Sequence, residues 1–283
     1  MYVLDLVRKI VKNCPGYELG FMKWNIIVYA DDIMLLAPSA KALQMLLDTC
    51  CELINDVKLK INPNKYNLIV FRKDKKTLTI YRMRIGESIL EEVNSIKYLG
   101  CMLDTRLNDA MDCDRALDSF LKQFNGMFHK FYYMNREVLT YLFKAYTSSF
   151  YACELWSGKY NRERVFKKIS VGYHKAIKRI CHLPVWASNH SACEIQGVDI
   201  FNHLQAKRMV GYAYRVFNSK IKSMDCMKLY FRYHSYFFKS VSEVFYLYYD
   251  LDNVFDNDLD AVLARIDFVQ RSEPRSDVQL FNV

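Results

Sequence analysis

The 283-residue sequence predicts an α+β fold. Three observations predict it. Short aliphatic and β-branched runs separated by turn residues are confined to the first 104 residues. From residue 109 onward apolar side chains recur at helical spacing instead. Charge is also partitioned along the chain. Residues 1–158 carry 21 basic and 18 acidic groups, residues 159–239 carry 16 and 4, and residues 240–283 carry 3 and 9. Four parts are expected: 1–104, 105–158, a basic helical 159–249 and an acidic tail 250–283.

Residues 1–13 read as a helix with Val3, Leu4, Leu6, Val7, Ile10 and Val11 apolar, closed by Cys14-Pro15-Gly16. Residues 25–37, NIIVYADDIMLLA, set Asp31 and Asp32 between two buried-strand patterns. The simplest geometry is a tight hairpin with the acids at its tip. Burying two adjacent carboxylates without a partner is costly, and a divalent cation such as Mg²⁺ would use both charges; an exposed turn with two solvated aspartates is the other reading. Pro38-Ser39 opens a second helix to Asp56, with Ser39 as N-cap and Leu43, Leu46, Leu47, Cys50, Cys51 and Ile54 on one face. Its expected role is structural support for the hairpin.

Residues 58–71, KLKINPNKYNLIVF, lead into a strand. Residues 72–95 form a charged connection in which 78–81 pair with 83–85. Residues 96–100 and 101–103 read as short strands around Gly100, whose lack of a side chain suits a tight hairpin. Beyond 109, residues 116–133 and 136–156 read as two long helices with Phe, Leu, Met and Tyr inside. Arg115, Lys122, Lys130, Arg136 and Lys144 are cations carried on or beside these helices. A third helix, 161–180, concentrates Arg162, Arg164, Lys167, Lys168, Lys175, Lys178 and Arg179, and is the first candidate to touch phosphate. Solvated helix faces are the other reading of that charge.

Cys181-His182 with His190 and Cys193 has no usual zinc-finger spacing, so an apolar loop with incidental polar residues is expected, and 191–194 reads as a capping box. Residues 199–218, 229–238 and 241–249 continue the helices. The acidic 250–261 is not an EF-hand, and a last helix or a weakly ordered tail is expected. Nine scattered cysteines, the lack of a signal-like N-terminus and the lack of an apolar stretch near ~20 residues point to an intracellular protein, nuclear or cytoplasmic, without a membrane span.

Tyr29-Ala30-Asp31-Asp32 resembles the polymerase motif of reverse transcriptases, and its flanks resemble the non-LTR, LINE-type retrotransposon branch. Two further segments carry the same resemblance. Residues 58–71 resemble the family segment GLxINxxK followed by Ser or Thr and a strand. Leu59, Ile61, Asn62 and Lys65 match it, while Lys58 and Tyr66 depart from it. Ile96-Lys97-Tyr98-Leu99-Gly100 resembles the primer grip, with Tyr98 supporting the hairpin from below. The resemblance is most specific over residues 25–104.

What the resemblance implies is a polymerase palm followed by a helical thumb, and RNA-directed DNA synthesis from an RNA template, a DNA primer and dNTPs. It places Mg²⁺ at Asp31 and Asp32. It assigns Lys65 to the leaving pyrophosphate, a surface lysine being the other reading of that residue. Tyr98, Leu99 and Gly100 become the primer grip, an ordinary hairpin turn being the other reading, and the thumb-like helices turn Arg115, Lys122, Lys130, Arg136 and Lys144 to the duplex backbone. The family's further catalytic aspartate comes from an earlier palm strand, expected with the fingers upstream of Met1; Asp5 is a poor substitute. The chain is accordingly expected to be a C-terminal fragment that does not polymerise alone. The competing class is a non-catalytic nucleic-acid-binding module derived from a retroelement.

Overall fold

The computed structural model describes residues 2–19, 22–56, 66–71, 82–156, 162–221, 224–226 and 228. The α+β expectation holds: four antiparallel or paired two-stranded ribbons precede a run of helices. The chain divides into two compact units. One comprises residues 1–96, 104–106 and 225–230, the other residues 97–103, 107–224 and 231–283.

In the first unit, α1 (Tyr2–Asn13), the hairpin β3 (Ile26–Tyr29) and β4 (Asp32–Leu35), and α2 (Ala40–Asp56) share one core. Ile10, Cys14, Ile26, Leu46 and Cys50 are buried together, with Val28, Leu35 and Leu53 against them. Period-two alternation turns Ile26 and Val28 to this core. The Ser39 cap is present: its Oγ accepts from Ala42 N at 3.2 Å. Asn25, fully buried, fixes the entry to β3. Its Nδ2 donates to the Ile10 carbonyl at 3.0 Å, one of the carbonyls in the last turn of α1, and its own carbonyl accepts from Leu36 N at 2.9 Å. The hairpin is thereby tied at its open end to the helix before it.

Three details differ from the sequence reading here. A ribbon of β1 (Tyr17–Leu19) and β2 (Met22–Trp24), with Glu18 opposite Lys23, lies between α1 and β3. The partner of β5 (Arg84–Ile85) is β6 (Ser88–Ile89), because Gly86 at φ +58° closes a tight turn on that side; residues 78–81 lie outside the described residues. Of the strand expected within 66–71, one bridge remains, Leu68 to Glu92.

In the second unit, α3 (Ala110–Phe131), α4 (Arg136–Leu142), α5 (Arg162–Ile180), α6 (Asn189–Gln196) and α7 (Phe201–Phe217) enclose an aromatic core. Phe120 stacks on Phe150 at 4.9 Å and meets Phe143 edge-on at 6.1 Å. The helix expected over 136–156 stops early. After α4 it widens into a π-helical turn, Phe143–Thr147, where the Thr147 and Ser148 hydroxyls bond back to the carbonyls of Phe143 and Lys144. Phe150 and Ala152 then take positive φ, and a short 3₁₀ turn, Cys153–Leu155, delivers Trp156 to the core. The N-cap of α6 is Ser188, whose Oγ accepts from Ser191 N, so the cap precedes the 191–194 box read from the sequence. Among the described residues no helix is long and apolar enough to cross a membrane. All nine cysteines are free thiols, and burial pushes those of Cys50 and Cys153 up to about 11.

Candidate active-site hairpin and nucleic-acid interface

The register of β3 and β4 decides what the acid pair can do. Tyr29 pairs with Asp32, so Ala30 and Asp31 are the whole turn and Asp32 is the first residue of the return strand. Two-residue hairpins need positive φ at the first central position when they take the II′ form, and Ala30 supplies it at +53°. An alanine there costs backbone strain that glycine would not, and such residues concentrate at functional sites. Tyr29, Asp31 and Asp32 are all exposed, with Tyr29 at 65%. The strands beneath them are held by the α1–α2 core, so the tip is rigidly mounted and open to solvent.

As a donor set the pair fits a hard divalent cation. It offers carboxylate oxygens only, on adjacent residues; both are exposed, so the burial cost expected from the sequence does not arise, and the fit rests on the donor chemistry alone. Mg²⁺ takes one or two carboxylates and fills its remaining positions with water and phosphate oxygens. Among the described residues, no third His, Cys, Asp or Glu joins them in a cluster able to hold a metal. Lys65, with the matching residues before it, lies outside the described residues.

The second sequence-predicted site falls in the other unit. Strands β7 (Ser95–Tyr98) and β8 (Cys101–Asp104) pair around Leu99-Gly100. Both turn residues take positive φ, +45° and +85°, the pattern of a type I′ turn. A Cβ on Gly100 would stand 3.1 Å from Cε1 of the Tyr151 ring. Gly100→Ala should therefore destabilise the chain by about 1–2 kcal/mol in urea denaturation. Tyr151 is exposed and can swing away, so Tyr151→Ala should recover only the steric part of that loss.

What anchors this hairpin was not read from the sequence. Asp112, in the first turn of α3, is buried and accepts three hydrogen bonds: from Met102 N at 2.8 Å, Arg115 Nε at 2.6 Å and Trp156 Nε1 at 2.8 Å. One carboxylate thus ties a strand of the hairpin to α3 and to the segment after α4. Arg115 is spent on this ion pair and on the Tyr151 carbonyl, which removes it from the cations available to a duplex. Lys144 donates to the Gly197 carbonyl at 2.8 Å, while Lys122, Lys130 and Arg136 are exposed.

On α5 the predicted cations separate by face. Lys167, Lys168, Lys175 and Arg179 are exposed, with Lys168 in a surface pair with Asp114 at 3.1 Å. Arg179 lies over the Phe128 ring at 4.3 Å and donates to Asn125. Arg164 sits in the first turn, its side chain outside the described part. Lys178 is a correction. It is only 8% exposed and its ammonium donates to the Val185 carbonyl at 2.9 Å, so it supports the loop before α6 and cannot meet phosphate in this conformation. Cys193, in α6, is buried in the core, and Cys181 accepts from Gln196.

Residues 1–103 match the family model for reverse transcriptase (RNA-dependent DNA polymerase), which covers 103 of the 283 residues and includes both the acid hairpin and the Leu99-Gly100 turn. No curated protein and no solved structure matches the chain.

Proposed function

We propose, from the reverse transcriptase match over residues 1–103, that the first unit carries the metal-holding hairpin of a non-LTR, LINE-type polymerase palm. The observation that carries this reading is the Tyr29–Asp32 register, which leaves Asp31 and Asp32 exposed at the end of a two-residue turn. In it Asp31 and Asp32 would hold Mg²⁺ through carboxylate oxygens and Lys65 would face the leaving pyrophosphate; in the second unit, taken by itself, Tyr98, Leu99 and Gly100 would hold a primer end. Bound Mg²⁺ neutralises triphosphate charge and makes the primer hydroxyl a better nucleophile. Partners are an RNA template, a DNA primer and dNTPs. Two carboxylates on one turn are part of a polymerase metal site, and among the described residues no third joins them, so this reading expects no primer extension from this chain by itself. Primer extension on an RNA template tests this: the expected result is no Mg²⁺-dependent product, and robust synthesis that disappears in Asp31→Asn overturns it.

The second reading, a nucleic-acid-binding module without catalysis, is favoured by the exposed cations of α5. Its affinity is then mostly electrostatic. Replacing Lys167 and Lys175 by Ala should weaken binding of every duplex sequence alike and reduce the slope of log K against log salt by about 2. Fluorescence anisotropy with two unrelated duplexes, between 50 and 200 mM salt, measures both.

A further inference from the structure

The surface that carries those cations has a feature that phosphate does not explain. Between α3 and α5 lies a groove of about 650 Å³. Its floor is apolar, formed by Leu117, Leu121, Phe124 and Val171, the last 44% exposed. Its rim is cationic, with Lys167, Lys175 and Arg179. Gly172 lets the two helices approach: a Cβ there would stand 2.8 Å from Leu117 Cδ1. A nucleic-acid backbone would use the rim and leave the floor wet. An occupant that satisfies both must present aliphatic or aromatic side chains flanked by negative charge.

We propose that the occupant is residues 250–268 of the same chain. That segment, DLDNVFDNDLDAVLARIDF, holds six aspartates against one arginine. Its apolar residues Leu251, Val254, Phe255, Leu259, Val262 and Leu263 recur at the spacing of one helical face. It therefore carries the complement of both halves of the groove. About thirty residues separate the end of α7 from Asp250, enough chain to span roughly 100 Å, so tether length sets no limit. Docked there, the segment would cover Val171 with the half-buried Leu117 and Leu121 and set its aspartates against Lys167, Lys175 and Arg179. The cations proposed above to bind phosphate are then occupied until nucleic acid displaces it; this regulatory consequence rests on the phosphate reading of α5, whereas the docking itself does not. A tether supplies an effective concentration of about 1 mM, so a segment binding at about 10 μM in trans suppresses competing nucleic acid about a hundredfold.

The test uses the full chain with Val254→Ser and Phe255→Ser, which weakens docking without changing charge. A fluorescent peptide of residues 250–268 should bind this variant in anisotropy titrations, and should bind the unaltered chain much more weakly. Adding Val171→Asp, at an exposed position that places a like charge on the floor, should abolish peptide binding. Absence of binding to the double-serine chain, or binding indifferent to Val171→Asp, overturns the docking. In a separate arm without peptide, the double-serine chain should bind a short duplex up to about a hundredfold more tightly than the unaltered chain. Peptide binding with an unchanged duplex affinity supports the docking and removes the phosphate reading of α5 instead.

Discussion

Asp112→Ala is expected to cost about 3–5 kcal/mol in urea denaturation, more than any surface substitution in the chain. The reason is the number of donors that converge on one buried carboxylate. Met102 N, Arg115 Nε and Trp156 Nε1 all lie within 2.8 Å of its oxygens. Removing the acceptor leaves an indole N–H and a backbone amide without their hydrogen bonds, together with a half-buried guanidinium without its counter-charge. Asp112→Asn keeps one acceptor oxygen and the volume, and should lose less. The consequence is local as well as global, because Met102 belongs to the Leu99-Gly100 hairpin. Protection of the Met102 amide against hydrogen exchange should collapse in Asp112→Ala and persist in Asp112→Asn. Equal stability of Asp112→Ala and the unaltered chain would show that the three donors find other partners at no cost.

Phe120→Ala should cost a further, independent 3–5 kcal/mol. Phe120 is buried at the centre of the second unit, with ring neighbours Phe124, Phe143, Phe150 and Tyr173. Truncating it removes burial and leaves a cavity that four rings cannot all close. One of those rings sits on a strained backbone: Phe150 has φ +35°, a conformation that a bulky residue keeps only when its surroundings impose it. The Phe120 ring is the closest of those surroundings, at 4.9 Å. Phe120→Leu, which preserves most of the volume, should cost less than about 1.5 kcal/mol. Chemical denaturation of the three chains side by side distinguishes cavity formation from a simple loss of aromatic contact.

These two residues mark where the sequence was and was not informative. The acid hairpin was legible because everything that makes it is local: two apolar runs, a two-residue turn and an acid pair within thirteen positions. Helices α1, α2, α5 and α7 were legible for the same reason, since a 3.6-residue period is written in consecutive residues. Asp112 was not legible, because its three donors come from positions 102, 115 and 156 and only folding brings them together. The end of the helix after α4 was misread for a related reason. Phe150, Cys153 and Trp156 are all buried, so the apolar spacing reported burial correctly while the backbone had already left the helix. Lys178 shows the limit of counting charges along a helix. It carries the same charge as Lys175, but its position turns it toward the loop at Val185, where a backbone carbonyl accepts one of its N–H groups.

The central claim is that Asp31 and Asp32 hold a divalent cation at the end of a rigid hairpin. Paramagnetic broadening of backbone amide signals by Mn²⁺, titrated into the full chain, tests it without any need for catalysis. The account predicts selective loss of the signals of residues 29–33, recovered by excess Mg²⁺ and absent from the Asp31→Asn/Asp32→Asn chain. Uniform broadening over all exposed acids, or tip broadening that survives the double substitution, would contradict it.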